Sequence, residues 1–328
     1  MGLVDRTLQQ AASELVEDFR GDYEPLAAMM AASWASHSPP PYVYSAAFLQ
    51  DCFAYPDATF AFAPTIYGGS EPVAFTVGYP RRVLVRGRER RVLICTFLTV
   101  APAHQSSGYG VIVWSDLMRR AVEHGYDGVV NYCVEGEAMD RMIGLLCARL
   151  GLPVVQATTC TYLSRSLLGV PARAEAPDAS AGELCAAAAV AARCELARLW
   201  DDASAGWQLS RVGAVSVCGA AGGGPPAVLT AYVQPIADAV RTRCLVIGDV
   251  LWGDLAERER EQLVRELLAK GVAAGASVAI VPELAYSDTT PFEAAGFIAS
   301  AHPTHAYLSI WSDDTPAEPV DGYYLDLI

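Results

Sequence analysis

At 328 residues, 52% hydrophobic and 18% charged, the chain has material for two domains and is too apolar to be disordered. A formal net charge of −14 excludes generic nucleic-acid binding, which takes most of its affinity from cationic contacts to phosphate, unless a local basic patch supplies them. Nine cysteines without a CxxC pair, most of them in apolar runs, read as reduced thiols of a cytoplasmic protein rather than a disulfide framework or a zinc site.

In chain order, residues 2–20 place apolar side chains at helical spacing and predict an amphipathic N-terminal helix over 1–20. Early acids and the lack of an apolar stretch there argue against a signal peptide, and no later run is long enough to span a bilayer. "DYEPLAAMMAASW" and "YSAAFLQDCFAY" predict two short helices. "TFAFAPTIYG", "PVAFTVGY" and "RRVLICTFLTV" predict three strands. "GYGVIVWSDLMRRAVEHG" is a helix closed by Gly125, "DGVVNYCV" a buried strand, "AMDRMIGLLCARLG" a helix and "VVQATTCTYLS" a strand. The fold class is therefore a mixed α/β domain over 21–168, in the order ααβββαβαβ.

A Pro- and Ala-rich linker, 169–182, separates this domain from 183–328, where the pattern recurs. "GELCAAAAVAARCELARLW" predicts a helix, followed by "WQLSRVGAVSVCG", "PPAVLTAYVQPIAD" and "TRCLVIGDVLW". The helix "LAEREREQLVRELLAKG", the strand "SVAIVPEL" and a short "TPFEAAGF" complete it. The similar separation of Val92 from Val129 and of Leu245 from Val278 supports two copies of one domain, the second diverged.

The chemistry centres on "VAPAHQSSGYG", residues 100–110. A strand that passes through a Gly-rich loop into a helix presents unpaired first-turn amides and the positive end of the helix dipole to an anion. Gly108 and Gly110 let the backbone approach a ligand, Ser106 and Ser107 add hydroxyl donors, and His104 abuts the loop. The stretch resembles the acyl-CoA-binding motif of the GCN5-related N-acetyltransferase (GNAT) superfamily, Q/R-x-x-G-x-G/A after a Val-x-Pro strand end. Gln105, Gly108 and Gly110 match its fixed positions, and the element order over 20–168 matches as well. The resemblance implies two tandem GNAT folds, the second degenerate, and one acyl-CoA site. In that site Gln105, Ser106, Ser107, Gly108, Tyr109 and Gly110 hold the pyrophosphate, and Leu98, Thr99 and Val100 pair with pantetheine.

A second family motif, N-x-x-A-x-x-L-Y-x-x-x-G-F, aligns with "DRMIGLLCARLGL". It puts Asp140 at the cofactor-contacting asparagine and Cys147 at the tyrosine that protonates the departing thiolate. A thiol has a suitable pKa for that role, and the alternative is that Cys147 only packs its helix. The fourth strand lacks the glutamate base that many members use, which leaves Glu135, Glu137 and Tyr132 to receive the amine's proton or to lie in solvent. In the second copy Gly253 is followed by Asp254, Glu257 and Glu259, acids that repel a pyrophosphate, and Phe292 stands at the tyrosine position.

The Arg-rich segment Arg81, Arg82, Arg86, Arg88, Arg90 and Arg91 forms a hairpin that is either solvated or turned to a phosphate-rich partner such as tRNA. His302 and His305 in "HPTH" lack a third ligand and read as a strand pair, with no metal site. The resemblance thus implies an N-acyltransferase moving an acyl group, acetyl for preference, from acyl-CoA to a small-molecule amine in a biosynthetic pathway. The alternatives are an aminoacyl-tRNA-dependent transferase and a non-catalytic CoA-binding protein.

Overall fold

The computed structural model describes residues 10, 12, 14–35, 42–191, 193–219, 223–238, 242–311, 320 and 322–325. Its elements are β1 (Val16–Asp18), α1 (Tyr23–Trp34), α2 (Ala46–Phe53), β2 (Pro64–Gly68), β3 (Glu71–Val85) and β4 (Arg88–Val100). Then follow α3 (Tyr109–Glu123), β5 (Gly128–Val134), α4 (Ala138–Leu150) and β6 (Val155–Ser166). The second half holds α5 (Ala181–Ala191), β7 (Leu196–Arg198), α6 (Asp202–Ser210), β8 (Ala214–Gly219), β9 (Ala227–Pro235) and β10 (Arg243–Leu251). It ends with α7 (Glu257–Ala273), β11 (Val278–Glu283), α8 (Thr290–Ala294), β12 (Ile298–Ile310) and β13 (Tyr323–Tyr324). The protein is a mixed α/β structure.

Two compact units divide the chain. Unit 1 comprises Met1–Arg82, Arg90–Thr159 and Thr304–Pro319; unit 2 comprises Val83–Glu89, Cys160–Pro303 and Val320–Ile328. In unit 1, β1 runs antiparallel to β2 and β2 to β3, whereas β4 lies parallel to β5, with Val92 opposite Gly128 and Cys95 opposite Asn131. A parallel neighbour requires a crossover, and α3 provides it. The strand beside β5 is not β6, its successor in sequence, but residues 304–310 of β12, antiparallel from Thr304 opposite Val134 to Ile310 opposite Gly128.

Unit 2 repeats the scheme. Strands β8, β9 and β10 are antiparallel, β10 and β11 are parallel across α7, and the antiparallel partner of β11 is residues 161–166 of β6. Each unit thus closes with a strand from the other half of the sequence. Within unit 2, Val83–Val85 pairs with β7, and β7 with β13.

Each unit has its own core. In unit 1, α3 and α4 bury Trp114, Leu117, Met118, Ile143 and Leu146 against Leu93 and Val129 of the sheet. In unit 2, α7 packs Leu263, Val264 and Leu267 against Leu245 and Val281. At about 25 cal/mol per Å² of apolar surface, such burial is the main stabilising term of each unit. All nine cysteines are free thiols. Among the described residues, no helix is long and apolar enough to cross a membrane.

Three local expectations change. The predicted N-terminal helix covers Gln10, Ala12, Glu14 and Leu15, but Val16–Asp18 turns into β1, because Val16 finds a ladder partner in Ile66; positions 1–9, 11 and 13 lie outside the described residues. Phe60–Phe62 is a 3-10 turn capped by Thr59, and β2 starts only at Pro64. The helix predicted through residue 200 stops at Ala191, and Leu196–Arg198 is a strand because Val83–Val85 offers it an edge.

Candidate functional site

Strand β4 follows β5 only as far as Cys95 opposite Asn131, although β4 continues to Val100 and β5 to Val134. The two strands part there, and the cause lies in the backbone. Phe97 has φ +56°, a conformation that costs a bulky residue of order 1–3 kcal/mol and that persists only where neighbours enforce it. The enforcement is visible. Thr76 Oγ1 donates to the Thr96 carbonyl at 3.1 Å, Thr99 Oγ1 donates to the Phe97 carbonyl at 3.0 Å, and the Phe97 ring stacks edge-on with Tyr44 at 4.9 Å. The gap is a cavity of about 260 Å³ lined by Thr96, Phe97 and Leu98 of β4, Asn131, Tyr132 and Cys133 of β5, with Trp34, Tyr44 and Trp114 as aromatic walls.

Past Val100 the chain enters the Gly-rich loop. Its carbonyl accepts from Ser33 Oγ at 3.0 Å, which ties the strand end to α1. A short 3-10 turn, Pro102–His104, precedes Ser106 (φ +75°) and Gly108 (φ +84°), the residue that caps α3. Gly108 has open space around it, so its requirement is conformational; Gly110 is different, because a Cβ there would stand 3.2 Å from Val100 Cγ2. The Tyr109 amide donates to Ser107 Oγ at 3.2 Å, and the His104 ring stacks on Tyr109. Among the described residues, the next amides of the first turn, Gly110 and Val111, have no hydrogen-bond partner, and residues 105–108 are exposed. An exposed loop that ends in a helix N-terminus with free amides is suited to a phosphate group.

The other motif residues occupy different ground. Asp140 lies in the first turn of α4, where Oδ2 accepts from the Gly136 amide at 2.9 Å and Oδ1 takes the Tyr307 hydroxyl and His305 Nδ1, each at 2.8 Å. Burial pushes the Asp140 carboxyl up, but these three donors outweigh it and hold it below the usual carboxylate range. Burial and the bond to Asp140 push the Tyr307 phenol upward. His305 Nε2 lies 3.8 Å from Glu135 Oε1. The sequence placed His305 in a strand, as found, without the signal that would have paired it with Asp140.

Cys147 is fully buried in the unit 1 core, its sulfur 4.0 Å from Ser309 Oγ, and burial raises its thiol pKa. It is not among the residues lining the cavity; Cys95 and Cys133 are. Burial pushes Cys133 up to about 12, so it too is a neutral thiol at physiological pH. Tyr132 and Glu137 line the cavity, and Glu135 is exposed beside it in sequence. Leu98, Thr99 and Val100 form the part of β4 that β5 leaves unpaired.

The arginines do not form one basic surface. Arg81 is buried, with its guanidinium 3.9 Å over the Tyr55 ring, and Arg91 stacks on Tyr126. Arg86 pairs with Glu195 at 3.5 Å in unit 2, while Arg82, Arg88 and Arg90 have further interactions of their own.

Unit 2 contains a similar strand divergence. Beyond Val246 opposite Ile280, β10 leaves β11, and the Val250 amide donates to the Tyr286 hydroxyl at 2.9 Å. At the start of α7 the Ala256 amide donates to Glu259 Oε2 at 2.9 Å, so the helix is capped by its own acid. Among the described residues, no three His, Cys, Asp or Glu side chains converge as a metal set.

Residues 14–151 match the model of the acetyltransferase (GNAT) family. No curated protein matches the chain in sequence. Among solved structures it is similar to Saccharomyces cerevisiae N-myristoyltransferase with bound myristoyl-CoA, at TM-score 0.74 and 13% identity over 94% of this chain and 83% of that one. A second structure of the same enzyme with myristoyl-CoA gives TM-score 0.71 at 12% identity, over 90% and 82%. A third, with myristoyl-CoA and inhibitors, gives 0.71 at 13%, over 90% and 79%. At such identities the likeness establishes the fold.

Proposed function

We infer, with residues 14–151 a domain of the GNAT family, that unit 1 transfers an acyl group from acyl-CoA to the amine of a small molecule. The observation that carries this reading is the parting of β4 from β5 at a strained Phe97, which opens a cavity against Thr96, Phe97 and Leu98 of the strand that runs on through Val100 into the Gly-rich loop. Coenzyme A has a pyrophosphate at one end of its arm, amides along it and the thioester at the other. The loop from Gln105 to Gly110 suits the first, the unpaired edge at Leu98, Thr99 and Val100 the second, and the cavity the third.

In the reaction the amine nitrogen attacks the thioester carbonyl, a C–N bond forms, the C–S bond breaks and the thiolate takes up a proton. Positioning supplies most of the acceleration, with the strand backbone near Leu98 polarising the carbonyl. For the amine's proton we assign His305, which does not line the cavity but pairs across the ladder with Cys133, which does. The Nδ1–H tautomer, donating to Asp140 Oδ1 at 2.8 Å, is the form in which Nε2 can take a proton. Asp140 therefore positions a base instead of contacting the donor. Cys147, enclosed in the core, is assigned a packing role, and the leaving thiolate is protonated from Tyr132 or solvent.

Unit 2 we read as a degenerate copy without a CoA site, since the Tyr286 hydroxyl already takes the Val250 amide beside the strand divergence and Glu257 and Glu259 put acids in the first turn of α7, where a pyrophosphate would be repelled. A tRNA donor loses support from Arg81, which is buried. The test is calorimetric titration of acetyl-CoA into the wild type and a Gly108→Trp variant. Single-site binding abolished by the variant sustains the reading; no binding of acetyl-CoA or of free CoA overturns it.

A further inference from the structure

The cavity wall carries a buried polar group that the reaction above does not use. Asn131 is 4% exposed, lies on β5 at the last position paired with β4, and lines the cavity at the point where the strands separate. Its Oδ1 accepts from Trp114 Nε1 at 2.9 Å. An indole nitrogen only donates, so the oxygen must face Trp114 and the orientation of the amide is fixed. Nδ2 is left buried without a hydrogen-bond partner among the described residues. A buried donor without an acceptor is uncommon and costly, and one at a cavity wall points to a ligand that completes it.

The direction of the donor identifies the ligand group. Along β4, Val100 adjoins the phosphate loop and Cys95, opposite Asn131, lies at the closed end of the gap. A thioester anchored by its pyrophosphate at Gly108–Gly110 and extended along β4 presents its acyl group to that closed end. Strand β5 is held there on both sides, by Cys95 and by Tyr307, so the donor sits on a rigid element.

We propose that Asn131 Nδ2 selects acyl-CoA donors whose acyl group carries an oxygen acceptor beyond the thioester carbonyl, such as a hydroxy, keto or carboxy substituent. This rests on the acyl-CoA reading of the site. A plain alkyl chain leaves Nδ2 unpaired, whereas an oxygen at the chain end satisfies it, and sites built to hydrogen-bond a substrate group reject analogues that lack it.

The experiment is titration of free CoA, butyryl-CoA, 3-hydroxybutyryl-CoA, acetoacetyl-CoA and succinyl-CoA into the wild type and Asn131→Leu. The expected result is that at least one oxygenated thioester binds the wild type roughly tenfold or more tightly than butyryl-CoA. The leucine variant should bring that ratio to about one while leaving the affinity for free CoA unchanged. Equal or tighter binding of butyryl-CoA by the wild type overturns the inference, as does a ratio that survives the substitution. The wild-type ranking decides alone if the variant does not fold. Failure of free CoA and every thioester to bind overturns the acyl-CoA reading itself, whereas binding without discrimination overturns only the role of Asn131.

Discussion

The Tyr307 hydroxyl donates to Asp140 Oδ1 at 2.8 Å, and His305 Nδ1 meets the same oxygen at the same distance. The carboxylate of α4 thereby clasps a strand 165 and 167 residues further along the chain. Since β12 is the strand next to β5, this contact both completes the sheet of unit 1 and orients the imidazole.

The depressed Asp140 pKa has a stability consequence with a definite sign. A carboxylate held below its unfolded value stabilises the folded state above that value, and this contribution is lost as pH falls through the folded one. Thermal unfolding followed from pH 7 downward should therefore show a steepening loss below about pH 4. Asp140→Asn should flatten that acid limb and cost about 2 kcal/mol at neutral pH, the scale of hydrogen bonds to a charged group.

His305→Gln tests proton transfer separately from binding. Glutamine retains a donor for Asp140 but cannot take a proton, so acyl transfer to an accepted amine should fall by about 10²–10⁴. CoA affinity in calorimetry should stay at the wild-type value, because the Gly-rich loop of residues 105–110 is untouched. Restored rate at high pH, where the amine arrives neutral, would mark His305 as the base; a pH-independent loss would not.

Two glycines of the loop should fail for different reasons. Gly108→Ala places a side chain at φ +84° and should lower stability by about 1–2 kcal/mol. Gly110→Val drives a branched side chain into Val100 and the strand edge behind it, so it should weaken CoA binding even where the melting temperature changes little. Melting curves beside titrations distinguish the two.

Cys147→Ala should leave turnover within a few-fold of wild type and destabilise by about 1 kcal/mol, the ordinary cost of a core substitution. Mass-resolved alkylation should label Cys147 only after denaturant is added. A large fall in turnover with normal stability would instead restore the thiol to catalysis.

In unit 2, Tyr286→Phe leaves the Val250 amide without its acceptor and should cost about 1–3 kcal/mol while acetyl-CoA binding stays single-site. The appearance of a second CoA site in that variant would show that the tyrosine is the plug of a latent one.

The alternation of apolar runs and the glycine and proline breaks determined, without any structure, the order of elements over 21–168. The loop was legible for the same reason: a strand end, two glycines and a helix start are contiguous, so their chemistry follows from neighbours in sequence. Tertiary structure decided the rest. Which strand flanks β5 depends on pairing energies between segments far apart in the chain, and no local pattern distinguishes β6 from β12 for that place. The partners of Asp140 and the closed environment of Cys147 follow from that choice, because His305, Tyr307 and Ser309 reach them only on β12. The free donor of Asn131 arises likewise from where Trp114 of α3 comes to rest, a matter of helix packing that residue types and spacing leave open.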